Sequence, residues 1–502
     1  MTTGPMPDAA PDATPVPPDR LDGPDVAGRL VRGTVLRFAS YAGGSLLAVA
    51  SFAALSRHLG PVEFGQYTTI MSLVTVIATV TDSGMSSLGI REYATLRGTH
   101  RDRLLRNLLG LRVALTLGGV VIIVVWSLAA GYGNALLLGG IAAGLATVAL
   151  VFQHTLTIPL STDLRLGSVS ALELLRQALT VAGILTLVAL GAGLFPLLAV
   201  TLAANIVLIL PTAAIVRGRI SLRPSVRPRE WSALWRATVV FSLATAVATI
   251  YAYTAQILTG FATSGTQEGL FAASFRVFIV AANVPPLVVS QALPLLARAA
   301  RDDRNRLAQG MQRIFEASLV AGVGTALVIS AGAHFIVLVI AGRAYAAASP
   351  VLALQAWAMI ATFLIANWTY GLLSLHLHRQ LLVVSVIAFA VSAVLTLVLA
   401  HADGARGAAI ATIAGETTVA VGSLIALVRH GAQYRPRLGR AVRVVPAGAF
   451  AACLAFIPAM PSVARAAVAI VSYALAVLAL RALPAELRLL LPARRMRRDP
   501  PR

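Results

Sequence analysis

The chain has 502 residues, 58% of them hydrophobic and only 12% charged, with a formal net charge of +21. A water-soluble protein of this length needs far more polar surface, so lipid must solvate much of the exterior. The cations do not point to nucleic acid, because they lie in short gaps between apolar stretches, where topology and anionic headgroups account for them.

Residues 1–30 are rich in Pro and Asp and lack a basic start followed by an apolar core, so they read as a disordered cytoplasmic tail and not as a signal peptide. Beyond them, a hydrocarbon core about 30 Å thick, crossed by roughly 20 apolar residues, divides the chain into about fourteen spans. Six have cores at 34–57, 67–90, 108–129, 135–158, 168–190 and 194–216, an N-terminal bundle over 31–220. A cytoplasmic linker, 221–235, leads to six more at 236–260, 269–297, 312–340, 350–375, 381–400 and 407–428, a C-terminal bundle over 236–430. Two additional spans, 443–460 and 463–482, occupy 431–485, and a basic tail, 486–502, follows. The expected fold class is therefore an all-α, polytopic membrane protein.

Arginine fills every second gap: Arg91 to Arg106, Arg217 to Arg229, Arg298 to Arg306, Arg429 to Arg440 and Arg494 to Arg498. Cationic loops resist translocation, so the alternation puts these gaps and both termini on the cytoplasmic side of the inner membrane. Every basic residue is Arg, and without Lys the chain has no standard phosphate loop for ATP. Cys453 is alone, which rules out an internal disulfide. His154 and His334 have no Cys or carboxylate at ligand spacing, so no metal site and no cofactor are expected.

Ionisable groups inside a span cost at least about 2.5–3.5 kcal/mol each, so each needs a reason. Arg37 in the first span and Arg91 at the end of the second are either positive-inside anchors or a cationic mouth for an anionic headgroup. Asp82 precedes a Ser-Gly pair, where it either caps a local break or compensates a charge. Glu173 and Arg176 are three residues apart, able to neutralise each other on one helix face. Arg276 lies inside the eighth span ahead of Pro285-Pro286, a pair that should bend the helix. Its guanidinium either snorkels to headgroups or faces a cavity, where its fork of donors suits a diphosphate. Glu416, mid-way along the twelfth span, suits ion coupling, a partner for a cavity arginine, or a hydrogen-bonded structural role. Gln256 and Asn283 are candidate sugar contacts, with bonding between helices as the alternative.

A short repeat crosses the linker. Glu63-Phe64-Gly65-Gln66-Tyr67 and Gln267-Glu268-Gly269-Leu270-Phe271 share an acid or amide, a Gly and an aromatic, six helices apart. The match fits two bundles related by duplication. The stretch Leu59-Gly60-Pro61-Val62-Glu63-Phe64-Gly65-Gln66-Tyr67 resembles the first outer turn of polysaccharide-transport flippases of the multidrug/oligosaccharidyl-lipid/polysaccharide exporter superfamily. Asp82-Ser83-Gly84-Met85 with Ile90-Arg91-Glu92-Tyr93-Ala94 resembles the end of that family's second helix. Ala341-Gly342-Arg343-Ala344-Tyr345 through Leu352 resembles its turn into helix ten. Members often carry an acid late in helix seven, where this chain has Gln256, and a Tyr where it has Leu270 or Phe271.

The resemblance implies a flippase, not an enzyme, that carries polyprenyl-diphosphate-linked oligosaccharide from inner to outer leaflet by alternating access. Its partners would be the lipid-linked glycan, membrane lipids and polysaccharide-assembly proteins. A multidrug exporter of the same fold is the runner-up, though cationic drugs favour cavities with several acids. A membrane glycosyltransferase or polymerase fits less well, because outer gaps of roughly ten residues or fewer leave no room for a catalytic loop.

Overall fold

The computed structural model describes residues 25–82, 84–96, 99–162, 166–216, 225, 228–439, 441–457 and 460–480. Every regular element among them is a helix. In chain order these are α1 (Asp25–Asp82), α2 (Met85–Thr95), α3 (Thr99–Ala129), α4 (Asn134–Leu156), α5 (Ile158–Thr162), α6 (Leu166–Ala189) and α7 (Leu194–Val216). Then come α8 (Pro228–Ala262), α9 (Gly265–Ala282), α10 (Val284–Ser290), α11 (Leu293–Asp302) and α12 (Arg304–Ile340). A 3-10 turn (Arg343–Ala348) leads to α13 (Ser349–Gln355), α14 (Ala358–Ser374), α15 (His378–His430), α16 (Val444–Ala455) and α17 (Ser462–Ala479). The chain divides into two compact units at Leu46–Leu47. The first holds the start of α1, with Arg37 on it; residues 25–30, expected as part of a disordered tail, fall in this helix, while the side chain of Arg37, residues 1–24 and the whole expected 486–502 tail lie outside the described residues. All that follows concerns the second unit.

By length and hydropathy, nine stretches of the described residues can cross a membrane, or ten if the bent pair Arg343–Gln355 and Ala358–Ser374 counts as one span. Two of the nine include a helix that is broken internally. α1 is broken at Gly60, with φ +68°, and α15 at Asp403–Gly404, where Gly404 has φ +53°. Positive φ carries no steric penalty for glycine, so a chain can reverse there without a longer loop. With these breaks, and with α8 and α16, the fourteen apolar stretches each fall on helix. Next to Pro285-Pro286, where a bend is expected, the helix is interrupted: α9 ends at Ala282, and the separate short α10 begins at Val284.

α3 shows how sequence divides a helix between lipid and protein. Val121, Ile122, Val125 and Leu128 stay exposed, while Leu108, Arg112, Thr116, Gly119, Ile123 and Ser127 are buried at spacings of three and four. Two six-helix bundles result. In the first, α4 packs along both α3 and α7, and α7 along α6; in the second, α15 packs along α8 and α14, and α14 along α12. α16 and α17 pack on each other and on α12. Amides inside spans serve as inter-helix clamps: Asn205 donates to the Ala146 carbonyl at 2.8 Å, Asn367 to that of Met311 at 3.1 Å, and Gln355 accepts from Ser274 at 2.5 Å.

Candidate functional site

The two bundles meet along a seam at the Gly60 end of the helices, and the repeated pentapeptides meet there. A β-carbon placed on Gly65 would lie 2.8 Å from the Gly269 nitrogen, and one on Gly269 would lie 1.8 Å from the Pro61 carbonyl oxygen. Only glycine lets two backbones approach so closely. One turn further on, Thr69 donates to the buried Glu268 carboxylate at 2.5 Å. At the other edge Arg57 donates to the Val339 carbonyl at 2.6 Å, and the Tyr345 hydroxyl donates to the Ser56 carbonyl at 3.1 Å. Phe64 packs edge-on against both Phe52 and Tyr345, with centroids 5.0 and 5.9 Å apart, which fills the space between the two edges.

Beside this seam is a cavity of about 280 Å³ between the bundles. The second half of α1 lines it with Thr68, Ser72 and Thr75, α6 with Arg176, Gln177 and Thr180, and α7 with Thr201. From the second bundle come Tyr253 and Gln256 of α8, and Phe275, Arg276 and Ile279 of α9. Arg176 and Arg276 are the charged groups among these lining residues, and among the described residues no carboxylate lines the cavity. Arg276 is exposed, and Tyr67 and Tyr253 line the same cavity. Arg176 gives its Nε to Glu173 at 3.0 Å and a second contact from Nη2, completing a two-point pair.

The hydroxyls of the wall donate to their own helices. Thr68 reaches the Gly65 carbonyl at 2.8 Å, Ser72 that of Thr68 and Thr75 that of Met71, each at 2.8 Å. Thr180 reaches Arg176 at 2.9 Å, and Thr201 reaches Leu198 at 3.0 Å. Gln256, 1% exposed, turns its amide nitrogen to the Thr68 and Thr69 hydroxyls at 3.4 Å; its carbonyl oxygen has no partner among the described residues.

Of the residues singled out from sequence, Arg276 and Gln256 come together in this cavity. Asn283 is exposed outside it, bonded to the Ile279 carbonyl at 2.8 Å, and Arg91 is exposed on α2, also outside the lining. Asp82 is bonded by Ser86 and by Arg112, a fully buried guanidinium that also reaches the Thr155 hydroxyl at 3.2 Å. Glu416 receives Tyr251 at 2.9 Å and Thr362 at 2.6 Å, one on each carboxylate oxygen, tying α8, α14 and α15 together. Sequence reasoning passed over Arg176 as a cavity residue, and over the hydroxyl wall. Thr68, Ser72, Thr75 and Thr79 recur at spacings of four, three and four, a polar stripe visible in the bare sequence. Among the described residues, no group of three or more His, Cys, Asp or Glu could hold a metal ion.

The sequence profile of the polysaccharide biosynthesis protein family matches residues 54–350, the stretch that supplies every wall of the cavity except Ala48, Ser51 and Phe52. The chain belongs to this family. Among solved structures, this family member is similar to the lipid II flippase MurJ in an inward closed conformation, at TM-score 0.73 and 11% identity, over 89% of this chain and 99% of that one. It is also similar to an inward-facing multidrug resistance MATE family transporter of the MOP superfamily, at TM-score 0.63 and 14% identity, over 78% and 95%. A MOP superfamily transporter from Pyrococcus furiosus follows at TM-score 0.52 and 15% identity, over 78% and 94%. At such identities the likeness is one of fold. A sequence comparison with curated proteins returns no match.

Proposed function

We propose that this protein is a flippase that moves a polyprenyl-diphosphate-linked oligosaccharide from the inner to the outer leaflet by alternating access. The observation that carries this reading is Arg276, an exposed guanidinium in an inter-bundle cavity that no carboxylate lines among the described residues. An arginine there needs an anion from elsewhere, and its planar fork matches phosphate oxygens in two-point contact. Membership of a polysaccharide biosynthesis family, and folds shared with a lipid II flippase and MATE transporters, support a lipid-linked sugar as cargo.

In this reading the arginine-rich gaps and both termini are cytoplasmic, in the inner membrane, and the Gly60 end faces outward. The glycine seam is then the outer closure, and rocking of one bundle on the other exposes the cavity to each side in turn. An inside-negative potential favours expulsion of an anion, by roughly 4–5 kcal/mol for two charges crossing about 100 mV. Glu416 is the candidate coupling group, since a change in its charge would alter bonds to two neighbouring helices at once. Arg37 and Arg91 are candidates for gathering the headgroup at the cytoplasmic mouth.

The test is transport of a fluorescent lipid-linked oligosaccharide across reconstituted vesicles. Arg276→Gln should lower the rate at least tenfold, the lower end of what a charge-assisted pair contributes. Arg276→Lys, which keeps the charge but loses the fork, should recover part of it. Full activity of Arg276→Gln in correctly inserted protein would refute the assignment.

A further inference from the structure

The geometry points to Glu173 as a competing counterion, a residue that sets how tightly the cavity holds a diphosphate and how readily it lets go. The inference rests on the diphosphate reading of the cavity. Arg276 and Arg176 both line the space, yet their electrostatic states differ. Arg276 has no hydrogen bond or ion pair among the described residues. Arg176 already gives Nε and Nη2 to Glu173, one turn earlier on α6.

That edge of the guanidinium is one a phosphate uses for two-point contact. An incoming phosphate must either displace the carboxylate from it or settle close to the carboxylate as a like charge. Glu173 weakens binding in both cases. The pair is open enough to part: the Glu173 side chain is 47% exposed and that of Arg176 26%, and Glu173 itself does not line the cavity. With the cavity empty, Glu173 neutralises Arg176 and Arg276 stands as the uncompensated cation. With cargo bound, Arg176 is shared or released to it. When the phosphates leave, the tethered carboxylate retakes Arg176 at high effective concentration and opposes rebinding.

A purely structural pair and a competing counterion differ in the sign of one effect. Loss of a structural contact weakens binding or leaves it unchanged; loss of a competitor strengthens it. The test uses the full-length protein in phosphatidylcholine nanodiscs, with farnesyl diphosphate as the probe and calorimetry as the readout. Glu173→Gln should bind about fivefold more tightly than wild type, in line with the strength of a partly exposed ion pair. It should also turn over lipid-linked sugar more slowly. The gain should vanish in an Arg176→Gln background, since the effect acts through that guanidinium. Glu173→Asp, one methylene too short for the two-point contact, should give a smaller gain and serves if the Gln variant folds poorly. Unchanged or weaker binding by both Glu173 variants overturns the inference, as does an equal gain without Arg176. Equal binding by wild type and Arg276→Gln, or none by wild type, overturns the diphosphate reading instead and takes this inference with it.

Discussion

Gly269→Ala should pry open the seam between the bundles. A methyl group there would lie 1.8 Å from the Pro61 carbonyl oxygen and 2.5 Å from its carbon, and both are backbone atoms that cannot rotate aside. Reaching ordinary contact requires α9 and the Pro61 turn to part by roughly 1.5 Å. Overpacking costs about 1–3 kcal/mol, and a rigid obstacle puts this case near the top of that range. A bias of about 3 kcal/mol shifts an equilibrium between closed and open seams by roughly a hundredfold. A disulfide can report the shift, because a β-carbon on Gly265 would lie 3.7 Å from that of Val62, across the seam. That is close to the mean disulfide spacing of about 3.8 Å. In a Cys453→Ser background, which removes the one native thiol, Val62→Cys with Gly265→Cys should cross-link rapidly under mild oxidation. Adding Gly269→Ala should slow cross-linking at least tenfold, and Gly65→Ala, whose methyl would sit 2.8 Å from the Gly269 nitrogen, should slow it less. An unchanged cross-linking rate with Gly269→Ala in inserted protein would refute the close-packed seam.

Other expectations follow from buried polar pairs. Asp82→Asn leaves Arg112, 0% exposed, without its anion; about 3 kcal/mol should be lost, the low end for such a break because Asp82 is 40% exposed. Thermal unfolding in detergent would show this, and Asp82→Leu combined with Arg112→Met should restore most of the stability. Glu416→Leu strands the Tyr251 hydroxyl, while Thr362 can fall back on the Ala358 carbonyl at 3.0 Å. The cost, about 1–3 kcal/mol, should therefore shrink when Tyr251→Phe is added; additive losses in the same melt would contradict it. Arg57→Ala removes the bond to Val339 and should raise labelling of a cysteine placed at Ser56, whereas labelling at the parent rate would show that this edge of the seam does not depend on it.

Much of the fold could be read from the bare chain, because lipid makes hydrophobicity an almost sufficient code for helix number. The fourteen stretches and the helix break beside Pro285-Pro286 were legible from apolar length and proline chemistry. The duplicated pentapeptides were legible too, although the reason for them was not: Gly65 and Gly269 are far apart in sequence, and their contact is a fact of three-dimensional packing. The site was less legible for the same reason. Arg276 could be singled out because a lone charge in a span demands an explanation. Arg176 could not, since a neighbour three residues away accounts for it locally, and nothing local shows that the pair borders a cavity. Asp82 was visible as an acid beside a break, but its partner Arg112 lies 30 positions away.

The hydroxyl wall has a consequence for what the carrier can distinguish. A hydroxyl has a single hydrogen, and those of Thr68, Ser72, Thr75, Thr180 and Thr201 are committed to main-chain carbonyls. What this surface offers a visitor is lone pairs. Sugars, dense in O–H groups, can satisfy it from many orientations without any one linkage being recognised, whereas an O-methylated glycan of the same shape brings nothing to give. Such a lining would tolerate variety in the repeat unit while rejecting cargo that has lost its donors.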